Sequence, residues 1–291
     1  MDVTKAVHFG LILDEADDVL PSDLNNAAGR TFTVGSTTYK IVTTIYANDL
    51  ATDMNPTRIT DQVSIGLICQ AESAGDVVIA IRGTEGIFEW LHDFEFDLVP
   101  CPFLTTAGRT DDGFTEMYMS MTTDAAPGSP SVVQSLPTLK FDNVVSSVTV
   151  CGHSLGGALA TLLVLDLAAT AADPAKTQYQ RFANPVAYTY ASPRTGDSVF
   201  AAKFNQVVPS SNRIENRLDI VPHLPPVFMH YAHVNTPYEL TPTQVNYSLY
   251  CEHSITTYLN LLSLRSGGPV IPLEPQCQSG PPPRTPIPAQ A

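Results

Sequence analysis

A chain of 291 residues with 44% hydrophobic and 15% charged side chains has the length to bury one large core and the composition of a soluble globular protein. Acidic residues outnumber basic ones 29 to 15, for a net charge of −14, which excludes nucleic acid as a natural partner and disfavours anionic lipid. An uncharged substrate is the expectation that follows.

The first apolar run, residues 6–13, has one Lys before it and Asp14, Glu15, Asp17 and Asp18 after it. It reads as a surface helix packed through Val7, Leu11 and Ile12, not as a signal peptide, so the expected address is the cytoplasm, or export without a cleaved signal. No apolar run approaches the roughly 20 residues that span a bilayer, so no transmembrane segment is expected. Alternation over residues 31–34, 38–46, 62–70 and 77–81 predicts strands joined by polar turns. Farther on, predicted strands alternate with helices: 144–150, a Leu-rich helix, 186–191, a helix from 197 through 204, 212–215, a strand at 230–234 or 238–240, and a closing helix at 254–264. Such alternation predicts a mainly parallel sheet covered on both faces, in one domain over residues 1–266. From Gly267 the chain turns Pro-rich, which predicts an extended or disordered tail over 267–291. Cys69, Cys101, Cys151, Cys251 and Cys277 lack metal-ligand spacing, and an odd number cannot all pair in one chain. They do not indicate a secretory disulfide framework, although one bridge stays open. No metal and no organic cofactor are implied, and oligomeric state is not legible.

Within residues 144–160, an apolar strand with Val144, Val145, Val148 and Val150 runs into Gly152-His153-Ser154-Leu155-Gly156, and a helix rich in Leu follows. A Gly-x-Ser-x-Gly pentapeptide recurs by chance; between a strand and a helix it is the nucleophile elbow of an α/β-hydrolase. A Cβ at Gly152 or Gly156 would meet neighbouring backbone in so tight a turn. The start of the helix directs N–H groups and the positive end of its dipole toward an oxyanion beside the Ser154 hydroxyl. That hydroxyl needs a neutral imidazole to take its proton and a carboxylate to orient the imidazole, and in this fold the chain order is Ser, acid, His. Asp219 follows the predicted strand at 212–215, on the edge where open α/β sheets collect their active sites. Of the histidines beyond it, His223 lies too close in the same loop to reach back. His230 and His233 fall on opposite faces of a strand-like run. His253 stands between an irregular stretch and the closing apolar helix, and is selected as the base. The oxyanion donors are then the Leu155 N–H and a group in the Arg82-Gly83-Thr84 turn that ends the strand at 77–81.

On these residues, from Arg82-Gly83-Thr84 to His253, the chain resembles the fungal-type class 3 lipases. The resemblance implies Ser154, Asp219 and His253 as triad, Thr84 as an oxyanion donor through its N–H and hydroxyl, and Asp93 as the group orienting that hydroxyl. The stretch Ala191-Ser192-Pro193-Arg194-Thr195-Gly196-Asp197 parallels the family's Gly-x-Pro-Arg-x-Gly-Asn, with Ala191 or Ser192 where Gly is usual and Asp197 where Asn is usual. Asp111-Asp112-Gly113-Phe114 stands for His-x-Gly-Phe without its His. The family carries a lid helix after the oxyanion turn, here within residues 85–100, where Ile87, Trp90, Leu91 and Phe94 recur at helical spacing. With Phe88 they form the expected lid and acyl-pocket surface; the spacing equally fits a helix packed permanently on the core. The implied activity is that of a serine carboxylic ester hydrolase, a lipase or esterase acting on acylglycerols or related neutral esters, including at a lipid–water interface. Alternatives on the same scaffold are a phospholipase A1 or a feruloyl esterase, and in another class a non-catalytic binding module.

Overall fold

Strands whose residues bury alternately on two faces form the centre of the molecule. The computed structural model describes residues 1–20, 26–48, 62–83, 96–242 and 245–279. The main sheet runs in the order β1 (Thr31–Val34), β2 (Thr37–Asn48), β3 (Gln62–Ala71), β4 (Asp76–Ile81), β7 (Ser147–His153), β8 (Val186–Tyr190), β10 (Ser211–Asn216), β12 (Pro237–Leu240). The first four of these pair antiparallel, and from β4 onward all pairings are parallel. A smaller sheet joins β11 (Tyr231–Ala232), β9 (Gly196–Asp197), β6 (Arg109–Asp111) and β5 (Leu98–Pro100).

In β4, Val77, Ile79 and Ile81 enter one hydrophobic cluster while Val78 and Ala80 enter the other, as a strand buried on both faces requires. Helices α2 (Asp112–Ser120), α3 (Leu155–Ala172) and α4 (Ser198–Val207) cover the first face, and α1 (Val3–Val19) and α6 (Ile255–Ser266) cover the second. By length and composition α3 is the one helix among the described residues apolar enough to cross a bilayer, but 78% of it is buried in the fold. It is a core helix, wedged between sheet and surface helices. The parallel strands bring their C-terminal ends to one edge, and the loops leaving that edge carry the site described below.

Several boundaries differ from those expected of the sequence. Helix α1 continues through the acidic residues to Val19, capped by Asp2, and buries Ala6, Gly10, Ile12, Leu13 and Ala16, whereas Val7 and Leu11 are only half-buried. Strand β7 begins at Ser147, and Val144 is 89% exposed. The residues before β7 are spent on a turn against Gly75, whose carbonyl accepts the Ser146 N–H at 2.9 Å. Both alternatives for the late strand form, one in each sheet. The described part of the tail is held to the fold by the Ile271 N–H to Ser263 Oγ at 3.0 Å and by a Val245–Gln278 bridge. Residues 280–291 lie outside the described residues. A disulfide not indicated by the cysteine pattern joins Cys251 to Cys277, because the chain after α6 returns along that helix to the residues before it. Cys69, Cys101 and Cys151 are buried free thiols.

Candidate active site

Strand β7 ends at His153 and α3 begins at Leu155, so Ser154 alone turns the chain. It does so at φ 59° and ψ −127°, a backbone state that costs a non-glycine residue about 1–3 kcal/mol and is kept where surroundings over-determine it. Two glycines admit the turn. A Cβ on Gly152 would sit 2.0 Å from Gly156 O, and one on Gly156 would sit 2.3 Å from the carbonyl oxygens of both Ile81 and Arg82. The Ser154 N–H donates to Tyr190 O at 2.9 Å, which ties the elbow to β8.

Ser154 Oγ lies 2.7 Å from His253 Nε2, and His253 Nδ1 lies 2.8 Å from Asp219 Oδ2. All three side chains are buried. The Asp219 carboxylate also accepts the Tyr258 hydroxyl at 2.8 Å and the Val221 N–H at 3.0 Å. With Nδ1–H committed to the carboxylate, Nε2 of a neutral ring is left to accept from Ser154, the tautomer that a general base needs. Asp219 occupies the turn after β10, its N–H on Asn216 O at 3.0 Å. His253 ends a short helix, α5 (Leu249–His253), one residue before α6.

Two neighbours, Tyr258 and Asn216, carry no signal that the sequence motifs pick out, and a third, His153, carries a faint one. Tyr258, on α6, bridges the Asn216 N–H at 3.0 Å and Asp219. Asn216 donates to both the backbone O and Oε2 of Glu252 at 2.8 Å, joining the acid turn to the base helix. His153 lies beside His253 with ring centroids 4.8 Å apart and ring planes tilted by 37°, and it donates through Nε2 to His253 O at 2.8 Å. Burial, and then the adjoining His253, push the His153 pKa down to about 3, so it stays a neutral donor. That hint is the Gly-His-Ser order itself, which places a ring next to Ser154.

The rejected histidines stand apart from Ser154. His223 is exposed. His230 caps a short turn in left-handed conformation. His233 is bonded to Pro222 O at 2.5 Å, and burial, with the nearby Arg213 charge, pushes its pKa down to about 3. Between pH 6.5 and that value the unfolded chain holds a proton at His233 that the fold does not, so this residue makes stability fall as pH falls. His233→Gln keeps a donor for Pro222. It should flatten the pH dependence of unfolding free energy by about 1.4 kcal/mol per pH unit between pH 6.5 and 4, read by urea titration; parallel curves for the two proteins would contradict this account.

The motif departures find physical roles. Asp111, in place of a His, caps α2 by accepting the Phe114 N–H at 3.0 Å and accepts the Tyr231 hydroxyl at 2.8 Å. Burial raises its pKa to about 7. Ala191 takes φ 52°, a backbone state glycine enters at least cost, and Asp197 caps α4 through the Phe200 N–H at 2.8 Å. Leu155 opens α3, where the first N–H groups have no helical acceptor. A Cβ built on Gly83 would lie 3.1 Å from that of Ser154, so the end of β4 does abut the elbow. Thr84, Asp93 and the lid and acyl-pocket residues Ile87, Phe88, Trp90, Leu91 and Phe94 lie outside the described residues.

Comparison with known proteins agrees with this architecture. The family model described as Lipase (class 3) matches residues 78–229, just over half of the chain. Phospholipase A1-II 7 from Oryza sativa subsp. indica is 36% identical over 169 residues, covering 52% of this chain and 42% of its own. A lipase from Rhizomucor miehei is 30% identical over 200 residues, covering 66% of this chain and 49% of its own. The chain thus spans about half the length of the curated relatives it matches. Among solved structures, a mutant form of MDLA from Penicillium cyclopium superposes with TM-score 0.61 at 22% identity, covering 85% of this chain and 83% of that one. That likeness speaks for the fold, an α/β-hydrolase.

Proposed function

The chain belongs to the class 3 lipase family, and we propose that it is a serine hydrolase cleaving acylglycerols or related neutral esters through an acyl-enzyme. The observation that carries this reading is the hydrogen-bonded series Ser154–His253–Asp219 at a strained elbow. In it, His253 Nε2 takes the Ser154 proton as Oγ bonds to the ester carbonyl carbon, and the carbonyl electron pair moves onto oxygen. The Leu155 N–H and Thr84 would receive that oxyanion. Its collapse breaks the bond to the alkoxy oxygen, which leaves with the proton held on His253, and water then clears the acyl group by the same steps. Asp219 orients the ring and stabilises the imidazolium.

An uncharged substrate is supported by the loops leaving β10 and β12. They expose Leu218, Ile220, Val227, Phe228, Tyr247, Leu249 and Tyr250, while their carboxylates, Asp219 and Glu252, are buried. Arg194 near this edge holds the carbonyls of His223 and Pro225, and the exposed Arg217 has the Glu239 carboxylate 4.0 Å away to offset its charge. Such a rim fits an apolar aggregate better than a phosphorylated headgroup. The 36% identity to a phospholipase A1 favours phospholipid hydrolysis as the second reading. Mass-spectrometric mapping of a phosphonate ester inhibitor tests the chemistry, with Ser154 the expected site and labelling elsewhere fatal to it. Relative rates on triacylglycerol emulsion, phosphatidylcholine and feruloyl esters then separate the substrates, with the emulsion expected to lead.

The rim makes its own prediction. The double variant Phe228→Ser, Tyr247→Ser should partition onto a triacylglycerol emulsion about thirtyfold less than the parent, since each aromatic ring contributes about 1 kcal/mol or more of burial. Hydrolysis of a short soluble ester should stay within about twofold, because neither ring touches the triad. Equal partitioning of variant and parent would remove the rim from the reading.

A further inference from the structure

His253 sits at a weak place in the backbone. The helix that ends at it, Leu249–His253, has 5 residues, too few to hold itself, and only Ser254 separates it from α6. The segment after α6 supplies the missing hold. Asn260 Nδ2 donates to Ile271 O at 2.6 Å and brings the returning chain back along α6, so that Glu274 lands on the junction. Its Oε1 accepts Ser254 Oγ at 2.5 Å and Thr256 Oγ1 at 2.6 Å. Its Oε2 accepts the Tyr250 hydroxyl at 2.7 Å and Gln276 Nε2 at 2.6 Å. Of these partners, Tyr250 stands three residues before His253, Ser254 one after and Thr256 three after. Farther along, Cys277 is bonded to Cys251, two residues before His253, and Cys277 O accepts the Asn246 N–H at 2.8 Å.

We propose that Glu274 is a positioning residue for His253, holding the backbone on both sides of the base through Tyr250, Ser254 and Thr256. The inference rests on the hydrolase reading above. Burial would raise the Glu274 pKa, but hydrogen bonds from Ser254, Thr256, Tyr250 and Gln276 outweigh it and hold the carboxyl below its ordinary value. The group is therefore an ionised acceptor with four charge-assisted bonds, the strong kind. Glutamine at this position would turn an NH₂ toward two of the donors and keep only part of the clip. The geometry of a base matters steeply: a displacement of about 1 Å can cost 10²-fold in rate. A strap that merely anchored the C-terminal segment would instead change stability and leave the turnover of folded protein alone.

The test compares the parent with Glu274→Ala and Glu274→Gln, scaled to folded protein, on a soluble nitrophenyl ester and by the rate of phosphonate labelling of Ser154. Glu274→Ala should lower kcat and the labelling rate about tenfold with KM within twofold, and Glu274→Gln should fall between it and the parent. Should the alanine variant fail to fold, the glutamine variant together with the pair Cys251→Ser, Cys277→Ser, which frees the strap beyond Glu274, decides by the same two readings. Unchanged kcat and labelling with only a lowered Tm, or a change confined to KM, would overturn the inference while the hydrolase reading stands. Absence of Ser154 labelling in the parent protein would overturn both.

Discussion

Ser154→Ala is expected to abolish phosphonate labelling and to lower ester turnover by about 10⁴-fold or more. The expectation follows from a single geometry: Oγ sits 2.7 Å from His253 Nε2 on a residue forced to positive φ by a turn between two glycines whose Cβ positions are already occupied. Alanine keeps the backbone and removes the one atom that bonds to the acyl carbon. A residual rate of roughly 10³–10⁴ over water should persist, because binding and oxyanion donors do not need the hydroxyl. Adding His253→Ala to Ser154→Ala should cost little more, since a base with no nucleophile to activate contributes nothing further. Steady-state kinetics on a soluble ester measure both. Additive losses in the double variant would mean that the two residues do not act as a unit.

Asp219→Asn should cost about 10⁴-fold in kcat, by reversing a tautomer and not by breaking the fold. The carboxylate accepts from three donors: His253 Nδ1 at 2.8 Å, the Tyr258 hydroxyl at 2.8 Å and the Val221 N–H at 3.0 Å. An amide of the same shape that keeps its oxygen for the Val221 N–H presents its NH₂, at the place of Oδ2, to both the imidazole and Tyr258. Nδ1 then becomes the acceptor, Nε2 carries the proton, and the ring can no longer take one from Ser154. Tyr258→Phe, which leaves the carboxylate and its tautomer control in place, should lose far less. Kinetics paired with thermal melts would read this. A loss below tenfold in a folded Asp219→Asn protein would show that another group orients His253.

How plainly the amino-acid sequence announces each of these residues depends on how local its determinants are. The elbow is legible because strand, turn and helix occupy adjacent residues, and two glycines around a serine admit few conformations. Chain order and the loop before α6 are enough to choose His253 among four histidines. The turn after β10 is enough to choose Asp219. The neighbours of these residues are not legible. Tyr258 carries no motif, and its hydroxyl finds Asp219 across 39 positions only because α6 crosses beneath the turn. An odd cysteine count hides the Cys251–Cys277 bond, and the proline-rich composition after Gly267 conceals a strap that pairs Gln278 with Val245. Val144 shows the reverse error: an apolar residue of strand type is 89% exposed, because the turn against Gly75 claims it first.

Periodicity and turn chemistry act over about ten residues, and they suffice for the alternation of strands and helices, the elbow and the choice of Ser154, Asp219 and His253 as candidates. Distances within the site arise otherwise. Ser154 and His253 are 99 positions apart and meet at 2.7 Å, and His153 reaches His253 O across 100 positions. Those separations close because parallel strands β7, β8 and β10 lie side by side and deliver their loops to a single edge. The groups proposed to react are therefore singled out by local pattern. Their support by Tyr258, Asn216, His153 and Glu274 comes from sheet order and helix packing, which no short window of residues contains.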